Sequence, residues 1–159
     1  MGRMKGGILL PSGVSMERKA LGTLLDATFV PPLVSGSGGI ADLRPAMGPL
    51  GGMEAVLSSM EAGAAVFLPC DMPFITVRTV RRLIREYRRR PGLPSVIAVP
   101  WMEPLLAVVP VSFTERIINA LDVGHLKVGR FWMDCGFNPV KAPGGNELHD
   151  VDHPWEVPA

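Results

Sequence analysis

Cysteine is nearly missing. Only Cys70 and Cys135 occur in 159 residues, and their spacing fits neither a disulfide framework nor a zinc site. No stretch of about 18 or more apolar residues runs without a charge, so no membrane span is expected. A secretory leader is not expected either. Met1–Lys5 is basic, but Ile8-Leu9-Leu10 is too short for an apolar leader core and Pro11 closes it. Gly6 stands where a myristoylation signal would carry Ser or Thr. Charge of one sign is also lacking. The net charge of +1 gives no global attraction for nucleic acid. The sparing use of cysteine and the nine methionines fit a reducing cytoplasm, which is the expected location.

The chain is 47% hydrophobic, enough for a core, and its length suits a single domain over 1–159. Residues 15–26 read as a helix capped by Ser15, with Met16, Ala20, Leu21, Leu24 and Leu25 as its stripe. Phe29–Val34 reads as a strand, weakened by Pro31 and Pro32. Ser35-Gly36-Ser37-Gly38-Gly39 is a loop. A second helix is predicted over 50–62, with Pro49 in its first turn and Gly63 at its end. Ala64–Leu68 is apolar on both faces, as in a strand inside a parallel sheet. Thr76 opens a third helix that Pro91-Gly92 stops. Strands over 95–99 and 105–109 follow, then helices over 114–121 and 128–133. The alternation argues for an α/β fold, a three-layer, doubly wound and mostly parallel sheet. The tail 151–159 is expected to be loosely held.

Two segments carry candidate chemistry. Val66-Phe67-Leu68-Pro69-Cys70-Asp71-Met72-Pro73-Phe74 places Asp71 just past a buried strand, where open α/β sheets bind ligands. A carboxylate there can hold Mg²⁺ together with substrate phosphates. Pro69 and Pro73 stiffen the turn around it. The plain alternative is a turn or capping aspartate. Gly48-Pro49-Leu50-Gly51-Gly52 opens a helix, where small residues and backbone N–H groups can admit a ligand. An ordinary glycine-rich turn is the alternative there.

Together, a Gly-Pro-Leu-Gly-Gly segment, a helix, and a strand ending Leu-Pro-Cys-Asp-Met-Pro-Phe resemble the molybdenum cofactor guanylyltransferases of the MobA type. Asp42 precedes the Gly-Pro-Leu motif at about the family's spacing, Glu103–Val108 looks like its next-to-last strand, and Asp150–Pro154 resembles its closing segment. The resemblance implies a Rossmann-like nucleotidyltransferase fold. It implies that Asp71 binds Mg²⁺, with Asp152 as a second ligand. It also implies that Asp42 and Gly48, Pro49, Leu50, Gly51 and Gly52 lie along the nucleotide. The substrates it implies are GTP and molybdopterin, with pyrophosphate released and molybdoenzyme maturation proteins as partners. Nucleic acid and membrane are not expected partners. Transfer to a cobinamide phosphate, cytidylyl transfer, and an inactive nucleotide-fold binding protein are the alternatives.

The family opens with a strand and the loop Leu-Ala-Gly-Gly-x-Ser-x-Arg-Met-Gly-x-x-Lys, which has no full match here. In one register Met1–Lys5 is the end of that loop, Lys5 is its charge-neutralising lysine, and Ile8–Gly13 is the turn before the first helix. The family's first strand then has no counterpart in the chain unless Gly6–Leu10 fills its place. In the other register Gly7–Leu10 is the first strand and Lys19 the motif lysine. Seven arginines between Arg78 and Arg90 crowd the third helix, most simply as a solvated face. His149, Asp152 and His153 form a further possible metal set. Trp101 with Glu103 is a candidate pocket wall, and Trp132 a core residue.

Overall fold

The computed structural model describes residues 5–36 and 39–156, with residue 5 described by its backbone alone. In chain order the elements are α1 (Met16–Thr28), α2 (Gly48–Ser58), β1 (Ala64–Phe67), α3 (Val77–Arg89), β2 (Ser95–Val99), β3 (Glu103–Pro110), α4 (Thr114–Asp122), α5 (Val128–Cys135) and β4 (Asn138–Lys141). The described residues divide into two compact units. One draws on Met1–Pro32, Leu68–Arg82 and Ala142–Ala159, the other on Leu33–Phe67 and Leu83–Lys141. The division falls inside α3.

The second unit holds a four-stranded sheet in the order β1-β3-β2-β4. β3 pairs antiparallel with both β1 and β2, and β4 pairs parallel with β2. Three of the four strands therefore run one way and β3 opposes them. The expected mostly parallel sheet holds in strand direction. In pairing it needs correction, because two of the three ladders are antiparallel. The cause is local. Only Pro100, Trp101 and Met102 separate β2 from β3. A parallel crossover needs about a dozen residues, so the chain must turn straight back.

β3 is buried on both faces. Ala107 and Val109 face a cluster built from α2, α4 and α5, including Leu50, Met53, Leu57, Ile117 and Phe131. Leu106 and Val108 point the other way and are equally covered. Trp132 on α5 is fully buried, and its Nε1–H donates to the Pro104 carbonyl at 2.9 Å. That bond fixes α5 against β3 and satisfies the indole. β1 sits at a sheet edge, and only Ala65 of its four residues is buried. The interior position read from its Ala-Ala-Val-Phe composition is thus corrected. β4 was not read from the sequence. Asn-Pro-Val-Lys has one buried residue, Val140, and its proline is tolerated because the strand lies at the other edge.

In the first unit, the segment before α1 is a turn rather than a sheet strand. The Met16 amide donates to the Ile8 carbonyl at 2.9 Å and the Leu10 amide to the Val14 carbonyl at 2.9 Å. The described residues thus carry the turn-into-helix arrangement of the first register. A strand at Gly7–Leu10 is not formed. Ser15 caps α1 by accepting from the Arg18 amide at 3.2 Å. The buried stripe of α1 is Met16, Ala20, Thr23 and Ala27, whereas Leu25 is 44% exposed. The expected leucine stripe is rotated because Thr23 can be buried. Its hydroxyl donates back to the Lys19 carbonyl at 3.0 Å. Phe29 then takes a left-handed conformation at φ 59° and ends the helix, so 29–34 is exposed coil and no strand. The tail is better held than expected over 151–156, and 157–159 lie outside the described residues. Val151 is buried, and the Glu156 carboxylate accepts from the amides of Asp152 and His153.

Gly22 lies in the middle of α1, exposed, and a Cβ added there would meet nothing within 4 Å. Gly22→Ala is expected to stabilise the chain by about 0.5–1 kcal/mol through helix propensity. Urea unfolding with an unchanged m-value is the check.

Candidate functional site

The Asp71 segment lies in the first unit, and the chain around it explains its position. The segment leaves β1, turns at Cys70-Asp71, and seats Met72, Pro73 and Ile75 in buried positions. Asp71 itself is half-buried on this turn. Its carbonyl accepts from the Val151 amide at 2.8 Å. The residue before Asp152 is therefore bonded directly to Asp71 through the backbone. Two of the expected site residues come from neighbouring segments although 81 positions separate them in the chain.

Immediately downstream, α3 begins at a carboxylate that local sequence gave no means of finding. The Glu147 Oε2 accepts from the Thr76 amide at 3.1 Å, the Thr76 hydroxyl at 3.0 Å and the Thr79 hydroxyl at 2.6 Å. A negative charge at a helix N-terminus is favourable, and here it also ties 142–156 to the turn that carries Asp71. Among the described residues no group of three His, Cys, Asp or Glu could hold a metal ion, so the His149-Asp152-His153 set is not assembled. His153 instead stacks on Trp155 with centroids 4.3 Å apart.

The second unit holds Asp42 and the glycine-rich helix start. Gly48 has φ 61° and Pro49 follows it in the first turn of α2. Both are exposed, while Leu50, Gly51 and Gly52 are buried. The inner glycines serve the chain's own packing. A Cβ on Gly51 would lie 2.6 Å from the Met47 Cβ, and one on Gly52 would collide with the Ser35 hydroxyl. The Asp42 Oδ1 lies 3.8 Å from that same Gly52 position. Asp42 and the glycine motif are thus brought together, with Ser35 between the loop and the helix. Ser37 and Gly38 of that loop lie outside the described residues, as does the side chain of Lys5.

Sequence reasoning missed the group that holds the Asp42 loop. Glu54 on α2 is 2% exposed. Its Oε1 pairs with the Arg44 Nε at 3.1 Å, and Arg44 Nη1 donates to Asp122 at the end of α4. Glu54 Oε2 is buried with no hydrogen-bond partner among the described residues. The hydrogen bond that Arg44 donates to Asp122 is the main cause that raises the Arg44 pKa above its ordinary value, so Arg44 is a fixed cation. A signal was available, because a charge at position 54 interrupts the apolar face formed by Leu50, Met53 and Leu57. On α3 three of the six arginines have partners among the described residues. Arg81 donates to the Asp26 carbonyl and lies 5.4 Å over the Phe29 ring, and Arg85 and Arg89 pair with Glu86. Trp101 is 66% exposed. Neither cysteine is in a disulfide.

A sheet with one reversed strand, helices packed on it and a carboxylate on the turn after β1 define a nucleotidyltransferase-type α/β fold. Solved structures share it. Molybdopterin-guanine dinucleotide biosynthesis protein A of Archaeoglobus fulgidus aligns over 98% of this chain and 88% of its own, with TM-score 0.71 at 18% identity. The 2-C-methyl-D-erythritol 4-phosphate cytidylyltransferase of Thermus thermophilus aligns over 96% and 90%, with TM-score 0.68 at 14% identity. The sequence profile of the MobA-like NTP transferase domain matches residues 1–131, and the chain belongs to that family. It is 35% identical over 94 residues to a probable molybdenum cofactor guanylyltransferase of Methanothermobacter thermautotrophicus, covering 57% of this chain and 47% of the relative. A molybdenum cofactor guanylyltransferase of Pseudomonas aeruginosa is 27% identical over 107 residues, 66% of this chain and 54% of the relative. The chain spans about half the length of the curated relatives it matches.

Two outcomes follow. Arg44→Met leaves the buried Glu54 carboxylate without its cation, so the Tm should fall by several degrees. The Arg44→Met/Glu54→Met double variant should recover most of the loss, as calorimetry would show. Burial pushes the Cys135 thiol above its ordinary value. A raised pKa leaves less thiolate at a given pH, so the alkylation rate of Cys135 should keep rising with pH after that of an ordinary exposed thiol has levelled off.

Proposed function

We propose that the chain acts as an Mg²⁺-dependent nucleotidyltransferase that moves GMP from GTP to molybdopterin. The observation that carries this proposal is the held turn around Asp71. Pro73 is buried behind it, and its backbone is bonded to the residue beside Asp152. Two carboxylates on adjoining segments suit Mg²⁺, which takes oxygen ligands and is commonly bound by one or two carboxylates plus substrate phosphates. Asp71 and Asp152 would hold it. When bound, it would neutralise charge developing on the triphosphate.

The remaining roles belong to the chain's own groups. Asp42 would accept hydrogen bonds from the nucleotide. The exposed Gly48 and Pro49 at the start of α2, which has no side-chain cap, would let the nucleotide approach the helix. Leu50, Gly51 and Gly52 would support that surface from beneath. Lys5 would neutralise phosphate charge. In the transfer, an oxygen of the molybdopterin phosphate forms a bond to the α-phosphorus of GTP. The bond from that phosphorus to the bridging oxygen breaks, and pyrophosphate leaves with the electron pair. Positioning and charge neutralisation supply most of the rate enhancement in such transfers. The names of the relatives and the match to the family favour GTP and molybdopterin over other pairs. Molybdoenzyme maturation proteins would be the recipients and the cytoplasm the location.

Titration calorimetry with GTP, with and without Mg²⁺, tests the proposal. The wild type should show Mg²⁺-dependent binding, and Asp71→Asn should weaken it by about tenfold or more, roughly 1.4 kcal/mol. Equal affinity in both proteins would remove Asp71 from the metal site. Tighter binding of CTP than GTP would move the chain to the cytidylyl alternative.

A further inference from the structure

The first unit contains a groove of about 700 Å³ between α1 and the 73–78 turn. Its volume falls in the range of small-molecule sites, about 300–1,000 Å³. Val14 and Phe74 contribute an apolar floor, while Arg18, Lys19 and Arg78 bring three cations against the single carboxylate of Asp26. Among the described residues none of these three cations is paired with a carboxylate. On α3, Arg81, Arg85 and Arg89 have internal partners, and of the arginines without one only Arg78 lines this groove.

Gly22 supplies an independent observation. It lines the groove in mid-helix, where glycine weakens a helix, and no atom packs into the space its side chain would fill. The packing of the protein does not need a glycine there. The open space beside it leaves room for a ligand to lie close along α1. The cations and the floor then define its chemistry, one anionic end and one apolar body. A nucleic acid is disfavoured, because it would need a longer basic track and more than the one aromatic side chain offered here.

We infer that this groove binds a small organic phosphate, with its anion held between Arg18, Lys19 and Arg78 and its apolar body over Phe74 and Gly22. The groove's residues are not those assigned to metal or nucleotide above. The site can therefore stand if GMP transfer fails, and the reverse is equally true.

The test uses the ¹⁵N-labelled full chain in EDTA, titrated separately with 1-naphthyl phosphate, 1-naphthol and inorganic phosphate. Naphthyl phosphate should saturate at sub-millimolar concentration and shift amides within 18–26 and 74–78. Each of the other two compounds should bind more weakly. Arg18→Gln and Arg78→Gln should each weaken binding by about tenfold. Gly22→Ala should weaken it while the Tm rises, which separates loss of the site from loss of the fold. Failure to saturate, equal binding of naphthol, or unchanged affinity in the arginine variants would overturn the assignment. So would displacement of the probe by a polyglutamate peptide at lower concentration, which would make the groove a seat for an acidic protein segment.

Discussion

The sheet of the second unit depends on one strand running against the others. β3 takes part in two of the three ladders, pairing with β1 on one side and β2 on the other. It also accepts the indole hydrogen bond that seats α5. Its buried residues Leu106 to Val109 fill space on both faces, so the helix cluster on one side and the packing on the other share a single backbone. The short connection from β2 sets its direction, and the order of the remaining strands follows from where its two edges can be satisfied.

The functional segments are fixed by long-range polar contacts rather than by local propensity. Glu147 closes the start of α3, Val151 bonds to Asp71, and Arg44 spans Glu54 and Asp122. In each case a loop that local sequence leaves free is tied by a partner distant in the chain. Burying Glu54 with one oxygen unmatched costs stability, since a desolvated acceptor is worth about 1–3 kcal/mol. The return is a loop held between two helices, with Asp42 placed over Gly52.

Much of this was legible in the residues. Ser15 as a cap, the helix after Thr76, the strand 95–99 and the burial of Trp132 all follow from caps, periodicity and apolar runs. The antiparallel turn from β2 to β3 was also there to be read, because the intervening chain is too short for a crossover. What escaped were features whose cause lies elsewhere in the chain. β4 owes its existence to β2 and would not be a strand alone. Thr23 enters the buried stripe because its hydroxyl satisfies itself. At the candidate site, the Asp71 turn and the Gly48-Pro49 helix start stood out by composition. Glu147 and Arg44 did not, since nothing in their neighbourhoods distinguishes a tethering charge from a solvated one.

The packing of Gly51 and Gly52 links residues that look independent in the sequence. Position 52 shares its volume with position 35, and position 51 with position 47. Drift toward a larger residue at one member of either pair is open only to a lineage that shrinks the other in step. Covariation between 35 and 52 across relatives would then record architecture, whereas change at 48 and 49, which face outward, would record what the helix start meets.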